Sequence, residues 1–123
     1  LWPGIQARQV ATLLDEDSVR GAVLECWGSG NMPDDPHLAG ALVTASGAGK
    51  LLAVVSQCPH GPVALETYAS GQALGDAGVL AGDDMTPEAA FTKLTHVLAQ
   101  PLTDAQRRHR FLSPLCGERS ALA

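Results

Sequence analysis

The chain of 123 residues has few aromatic side chains and no long apolar run. Aromatic residues make up 4% of the sequence, so the core must consist mainly of aliphatic side chains. No apolar stretch approaches the roughly 18 residues that suggest a membrane span, and no charged, then apolar leader opens the chain. We therefore expect a soluble protein with no membrane partner.

Positive charge is also scarce. Eight Lys and Arg residues stand against 13 Asp and Glu, which gives a formal net charge of -5. The only basic cluster is Arg107, Arg108 and Arg110, which we interpret as a solvated helix face. Since binding to nucleic acid depends on a basic surface for the phosphates, we expect no nucleic-acid partner.

The three cysteines, Cys26, Cys58 and Cys116, are an odd number without repeated spacing. This pattern is typical of free thiols in a reducing compartment, and it favours a cytoplasmic protein. Cys58 and His60 lie two residues apart, but no further Cys or His completes a zinc-binding spacing. We expect no metal ion and no other cofactor, and we predict that Cys58 is a small buried thiol.

Familiar catalytic motifs are missing as well. The sequence contains no Ser-His-Asp pattern, no G-x-S-x-G, no P-loop and no HExxH. Asp83 and Asp84 precede a predicted helix, and we interpret them as groups that stabilise its N-terminus rather than as an acid-base pair. The residues alone therefore indicate a domain that is not a self-sufficient enzyme.

What the sequence does contain is an alternation of apolar segments and helical patterns. The predicted buried parallel strands span residues 21–27, 51–58 and 77–82. Helices are predicted before, between and after them, with capping residues at Asp35, Thr86 and Thr103. The alternation predicts one domain over residues 1–123, a three-layer α/β/α, Rossmann-like fold with a small, mainly parallel sheet.

Helical spacing also predicts which side chains form the core. The expected buried residues of the first helix and of the helix after Thr86 are Val10, Leu13, Leu14, Phe91, Leu94, Val97 and Leu98.

A glycine-rich turn, Gly28-Ser29-Gly30-Asn31, directly follows the first predicted strand. Glycine backbone would let a small ligand approach closely, and the Asn31 amide could bind its carboxylate or ammonium group. The alternative is a turn asparagine in left-handed conformation. A dinucleotide fingerprint is excluded because Pro33 stands where the third glycine is needed.

Several segments together resemble the C-terminal domain of type I (cytoplasmic) L-asparaginases, which also occurs in animal 60 kDa lysophospholipase. Asp84 to Leu94 matches the block D-M-T-x-E-A-A-x-x-K-L, and Gly28 to Asn31 matches G-x-G-N. The opening LWPGI is similar to a Y-P-G-I turn of the family, and LCGE at 115–118 to its L-R-G-E. The resemblance covers nearly the whole chain but only part of the family's full protein.

The resemblance implies a role in an amidohydrolase that converts L-asparagine to L-aspartate and ammonia. The family's threonine nucleophile belongs to an N-terminal domain that this sequence does not contain, so no catalytic residue is expected here. Asn31, with Gly30, would hold the substrate in the active site of a neighbouring subunit of a homodimer or homotetramer. Tyr68 would help to close that pocket, and Glu66 is the candidate acid for the substrate's ammonium group.

Two alternatives stay open. The same domain occurs in the D subunit of glutamyl-tRNA amidotransferase, and the chain could also be a non-catalytic small-molecule-binding or dimerisation module. Some bacterial type I enzymes carry an allosteric asparagine site that uses an Arg and a Cys, and the matching positions here are Glu25 and Cys58. Because Glu25 reverses the charge offered to the effector's carboxylate, we expect no such regulation.

Overall fold

The structure is a computed structural model that describes residues 1–65 and 69–120. Helices and strands alternate along the chain. Their order is α1 (Ala7–Asp15), β1 (Gly21–Cys26), α2 (Pro36–Gly47), β2 (Leu51–Ser56), α3 (Ala69–Asp76), β3 (Leu80–Ala81), α4 (Pro87–Ala99) and α5 (Asp104–Leu112). The three strands form one parallel sheet in the order β1-β2-β3. The predicted three-layer α/β fold with a small parallel sheet is confirmed.

Each predicted strand is shorter in the structure. β1 pairs with β2 along its full length, from Gly21 opposite Leu51 to Cys26 opposite Ser56. β3 has two residues because glycines bound it: Gly78 has φ +78° after α3, and beyond Gly82 the chain turns towards α4. Glycine tolerates such positive φ without a steric penalty, so the strand begins only after this turn.

The sheet separates two apolar clusters, and β2 lies between them with all six residues buried. Leu52 and Val54 point into the cluster of α1, α2 and α3, whereas Leu51, Ala53 and Val55 point into the cluster of α4 and α5. Both crossovers advance in the same direction, so the right-handed rule for parallel connections places α2 and α3 on the same face.

The predicted helix caps are confirmed. Asp35 accepts a hydrogen bond from the backbone N–H of His37 at 2.8 Å, and Thr86 accepts one from Ala89 at 3.2 Å. Thr103 and Gln106 form a reciprocal capping box at the start of α5, with distances of 2.9 and 3.3 Å. These contacts satisfy N–H groups that the first helical turn leaves without partners.

Two of the predicted core residues lie outside. Leu13 is 67% exposed and Phe91 is 64% exposed, so these predictions were wrong. On α4 the predicted Leu94 and Val97 are buried, and Lys93 is buried beside them, where it pairs with Glu118 of the C-terminal segment. Residues two apart on a helix point about 200° apart, so the burial of Lys93 turns Phe91 towards solvent.

The basic cluster on α5 is not simply solvated. Arg108 is half-buried and donates from Nη1 to the Gly78 carbonyl at 2.7 Å and from Nη2 to Ser46 Oγ at 3.2 Å. It therefore ties α5 to the ends of α2 and α3, which corrects the prediction. Arg110 is exposed, as predicted.

Candidate functional site

The glycine-rich turn after β1 folds back on itself as a narrow loop. Trp27 and Asn31 form an antiparallel bridge in which each backbone N–H donates to the other's carbonyl at 2.8 Å. Gly28 and Gly30 absorb the reversal with φ of +50° and +113°. Among the described residues other than glycine only Asp83 has a positive φ, so the alternative of a left-handed Asn31 was wrong.

The packing of its own chain requires a glycine at position 30. A Cβ atom there would lie 3.0 Å from Val63 Cγ1 and 3.2 Å from Leu65 Cδ2, closer than ordinary van der Waals contact. The Gly30 backbone is buried beneath these side chains, whereas Gly28 is exposed. Close approach of a ligand to bare backbone is therefore possible at Gly28, and Gly30 serves the shape of the turn.

Two serines that the sequence analysis did not single out hold this turn. Ser56, at the end of β2, donates from Oγ to the Gly28 carbonyl at 2.6 Å. Ser70, in the first turn of α3, donates from Oγ to Oδ1 of Asn31 at 3.0 Å. The half-buried Asn31 amide is thus fixed at the carboxyl edge of the sheet. Only the position of Ser70, two residues after Tyr68, could have indicated its role.

Glu66 and Tyr68, the other two predicted site residues, lie outside the described residues. The chain reaches them after Leu65, whose side chain packs near Gly30, and returns at Ala69 one residue before Ser70. Their proposed roles stay predictions.

A cleft of about 370 Å³ opens beside the ends of β1 and β2. Its lining includes Glu25, Gln57, Cys58, His60 and Thr86. Glu25 and Cys58 are the positions that correspond to the Arg and the Cys of the allosteric site in some bacterial type I enzymes. Both line this cleft, where Glu25 provides a carboxylate.

The prediction of a buried Cys58 was wrong, because this residue is exposed. Its backbone N–H donates to Ser56 Oγ at 3.0 Å, and the chain leaves the sheet there towards Pro59. The buried thiol is Cys26, and burial raises its pKa to about 12, so it stays protonated at neutral pH. The described cysteines are all free, as predicted.

Asp83 and Asp84 do not cap α4, because Thr86 does. Asp83 pairs with Arg119 at 2.6 Å, and Asp84 accepts from the hydroxyl and the backbone N–H of Ser120 at 2.5 and 2.9 Å. These hydrogen bonds lower the pKa of the Asp84 carboxyl. The two acids therefore hold the C-terminal segment, which corrects their interpretation.

Within residues 1–65 and 69–120, no group of three His, Cys, Asp or Glu side chains could hold a metal ion. Over the same residues no helix is long and apolar enough to cross a membrane.

Comparison with known proteins assigns the domain. Residues 1–111 match the family model described as the glutaminase/asparaginase C-terminal domain. The chain belongs to this family. This asparaginase-type C-terminal domain is 41% identical to mouse 60 kDa lysophospholipase over 92% of its length, and 37% identical to L-asparaginase 1 of Escherichia coli K12 over 96%. It spans 20% and 35% of those two proteins.

A solved structure agrees with this assignment. The crystal structure of L-asparaginase I from Vibrio cholerae superimposes on 98% of the chain with a TM-score of 0.91 and 37% sequence identity. The match covers 36% of the Vibrio chain. Both the predicted family and the predicted fold class are confirmed.

Proposed function

We propose that this domain is the C-terminal part of an L-asparaginase, and that Asn31 completes the substrate site of a neighbouring subunit. The observation that carries the proposal is the Asn31 amide, fixed at the carboxyl edge of the sheet by Ser70 on a turn that Ser56 tethers. Ligands of open parallel sheets bind at this edge. The names of the Escherichia coli and Vibrio relatives support asparagine as the substrate.

The chemistry of Asn31 suits an amino-acid substrate. The carbonyl oxygen of an amide has two lone pairs, and Ser70 uses one, so Oδ1 can still accept from the substrate's ammonium group. The adjoining NH₂ group can donate to a carboxylate. Asn31 orients the substrate without a change in its own charge, while the nucleophile and the groups that move protons lie in the part of the protein outside this chain.

Gly30 shapes the turn, and Glu66 and Tyr68 extend the substrate site, Glu66 towards the ammonium group and Tyr68 as part of the pocket's cover. Both follow Leu65, which packs beside Gly30, and precede Ser70, so the chain passes the Asn31 turn on each side of them. No cofactor takes part in this role.

The parent protein works as a homodimer or homotetramer, since a residue that acts on a neighbour's site requires a second copy. Free cysteines among the described residues support a reducing, cytoplasmic compartment. Hyperbolic asparagine kinetics are expected because Glu25 repels an effector's carboxylate; sigmoidal kinetics in the full-length protein would refute that expectation.

The first test replaces Asn31 with Ala in the full-length protein. We expect kcat/KM for L-asparagine to fall by about a hundredfold, the size of effect that loss of a positioning group produces. Asp34→Ala, an exposed position three residues further along, is the matched control and should leave the kinetics unchanged. Wild-type kinetics for the Asn31 variant would contradict the proposal.

A hybrid oligomer tests whether Asn31 acts on the neighbouring subunit. One subunit carries Asn31→Ala, and the other keeps Asn31 but lacks the nucleophile of the N-terminal domain. Activity should reappear on mixing if Asn31 serves the neighbour, because one complete site forms. If the proven hybrid is no more active than the Asn31→Ala parent, Asn31 serves its own subunit or none.

The amidotransferase D-subunit role predicts instead that the full-length protein co-purifies with a partner subunit and supplies it with ammonia. A binding or dimerisation module predicts self-association without asparagine hydrolysis by the full-length protein. Size-exclusion chromatography of the purified protein together with an ammonia-release assay separates these roles from the proposed one.

A further inference from the structure

Arg119 lies in the C-terminal segment, residues 113–120, and is almost completely buried, with 6% of its surface exposed. Its Nη2 donates to Asp83 Oδ2 at 2.6 Å, and its Nη1 to the Phe111 carbonyl at 3.4 Å. Asp83 belongs to the turn between β3 and α4, which is 36 residues away in sequence. The buried guanidinium of Arg119 therefore binds this turn from the C-terminal segment.

Asp83 has an unusual backbone. Its φ of +59° lies in the left-handed region that residues other than glycine seldom occupy. In this conformation its carbonyl accepts a hydrogen bond from the backbone N–H of Val63 at 2.9 Å. The residue that Arg119 holds thus also anchors the loop that follows β2.

That loop rests directly on the Asn31 turn. The side chain of Val63 is 4% exposed, and its Cγ1 lies 3.0 Å from the position that a Cβ on Gly30 would occupy. The next residue, Ala64, donates its N–H to the Ser29 carbonyl at 2.9 Å. Contacts therefore run without a gap from Arg119 through Asp83 and Val63 to the residues just before Asn31.

We propose that Arg119 is a positioning residue for Asn31. The ion pair fixes Asp83 in its left-handed conformation and thereby fixes the position of the carbonyl that accepts from the Val63 N–H. Val63 packs against Gly30, so its position determines where the turn that carries the Asn31 amide lies. The effect of Arg119 on catalysis rests on the proposed function, whereas its effect on the loop of residues 59–65 does not.

The C-terminal segment offers a matched control. Glu118 pairs with Lys93 and accepts from the backbone N–H groups of Leu115 and Cys116 at 2.8 to 3.1 Å. It secures the same segment, but neither Asp83 nor Val63 takes part in these hydrogen bonds. Glu118→Gln therefore weakens the segment without acting on the loop directly.

The experiment compares Arg119→Met and Glu118→Gln in the full-length protein, at a temperature where both are folded. Hydrogen exchange of the peptide covering residues 59–65, read by mass spectrometry, should speed up by tenfold or more in Arg119→Met and stay unchanged in Glu118→Gln. In Arg119→Met kcat/KM for L-asparagine should fall by about tenfold, a partial version of losing Asn31, and in Glu118→Gln it should change by less than about twofold.

Unchanged exchange of residues 59–65 in Arg119→Met overturns the inference. So do equal exchange and kinetic losses in both variants, since these would reflect stability alone. If exchange accelerates in Arg119→Met while the kinetics of this variant and of Asn31→Ala stay normal, the coupling stands and the proposed function fails. Should Arg119→Met not fold, Asp83→Asn weakens the same pair in a residue that tolerates positive φ, and it should show the same changes at smaller size.

Discussion

Both faces of the sheet are covered by apolar clusters, but among the described residues only one face also encloses buried charges. The cluster beneath α1, α2 and α3 consists of aliphatic side chains, Cys26 and Met32, with Leu38 and Leu42 at its centre. On the other face, α4, α5 and the C-terminal segment enclose Lys93 and Arg119, the two charged residues that are buried in the described part of the chain. The first face is therefore closed by apolar packing, whereas the second adds to its own apolar cluster two ion pairs with partners far away in sequence.

This contrast decides how each face responds to substitution. Removal of apolar atoms costs hydrophobic free energy and leaves a cavity, whereas removal of one member of a buried ion pair leaves a desolvated charge. The charged face is therefore expected to be the more sensitive of the two.

The largest effect is expected for Lys93→Met. The Glu118 carboxylate, whose side chain is 10% exposed, would keep its backbone donors but lose its cation. Breaking a buried pair in this way lowers the free energy of unfolding by about 3–5 kcal/mol, which urea denaturation can measure. Arg107→Met, which breaks the exposed pair with Asp104, is the control and should cost less than about 1 kcal/mol.

A double variant sharpens this test. Lys93→Met combined with Glu118→Leu removes both charges, so its loss of stability should be smaller than the sum of the two single losses. Strict additivity would mean that the two side chains are not energetically coupled.

The next largest effect is expected on the aliphatic face, for Leu42→Ala. Leu42 is fully buried, and truncation of such a leucine costs about 2–4 kcal/mol. The neighbouring Val43 is 53% exposed, so Val43→Ala should change the unfolding free energy by less than about 0.5 kcal/mol. Equal losses in the two variants would show that α2 does not pack as described.

The same contrast explains which features the sequence could predict. Leu38, Leu42 and Ala45 follow helical periodicity and are buried, because an aliphatic face needs no particular distant partner. Phe91 was expected in the core but is exposed, while Lys93 is buried by a partner that is 25 residues away and leaves no local signal. Caps were predictable because each is formed within a few residues.

The candidate site shows the same limit. The turn carrying Asn31 was readable from its glycines and from the family motif. Its supports, Ser56, Ser70 and Val63, were not, because they reach it from other elements of the fold. Cys58 was predicted to be buried because cysteine usually is. It is exposed because the chain leaves the sheet after Ser56, and the composition of a strand does not indicate the direction in which the chain leaves it.

A smaller effect on the free energy of unfolding is expected when the pH is lowered, and only the face that contains Glu118 should show it. Burial by itself raises the pKa of the Glu118 carboxyl, but the hydrogen bonds from Lys93, Cys116 and Leu115 outweigh it and hold that pKa well below its ordinary value. The stabilisation that the ionised Glu118 carboxylate contributes is therefore complete above the pKa of roughly 4.3 that Glu has in the unfolded chain. It is lost as the pH falls towards the pKa of Glu118 in the folded protein.

Glu118→Gln removes this dependence. The difference in unfolding free energy between wild type and variant should shrink by about 1–2 kcal/mol between about pH 6 and about pH 3. A difference that stays constant across this range would mean that Glu118 has the same pKa folded and unfolded. Leu42→Ala, on the uncharged face, should differ from wild type by the same amount at every pH.

The smallest effect on the unfolding free energy is expected on the solvent-exposed side of α2, away from both apolar clusters. Gly40 lies inside the helix with nothing within 4 Å of the position of an added Cβ, so Gly40→Ala should raise the unfolding free energy by about 0.5–1 kcal/mol. Gly49, just after the same helix, also has room but has φ +85°, where an L-residue is strained. Gly49→Ala should therefore lower the unfolding free energy by about 1 kcal/mol, and thermal or urea unfolding should show opposite signs for two identical substitutions. The same sign for both would mean that space, rather than backbone conformation, decides the outcome at these glycines.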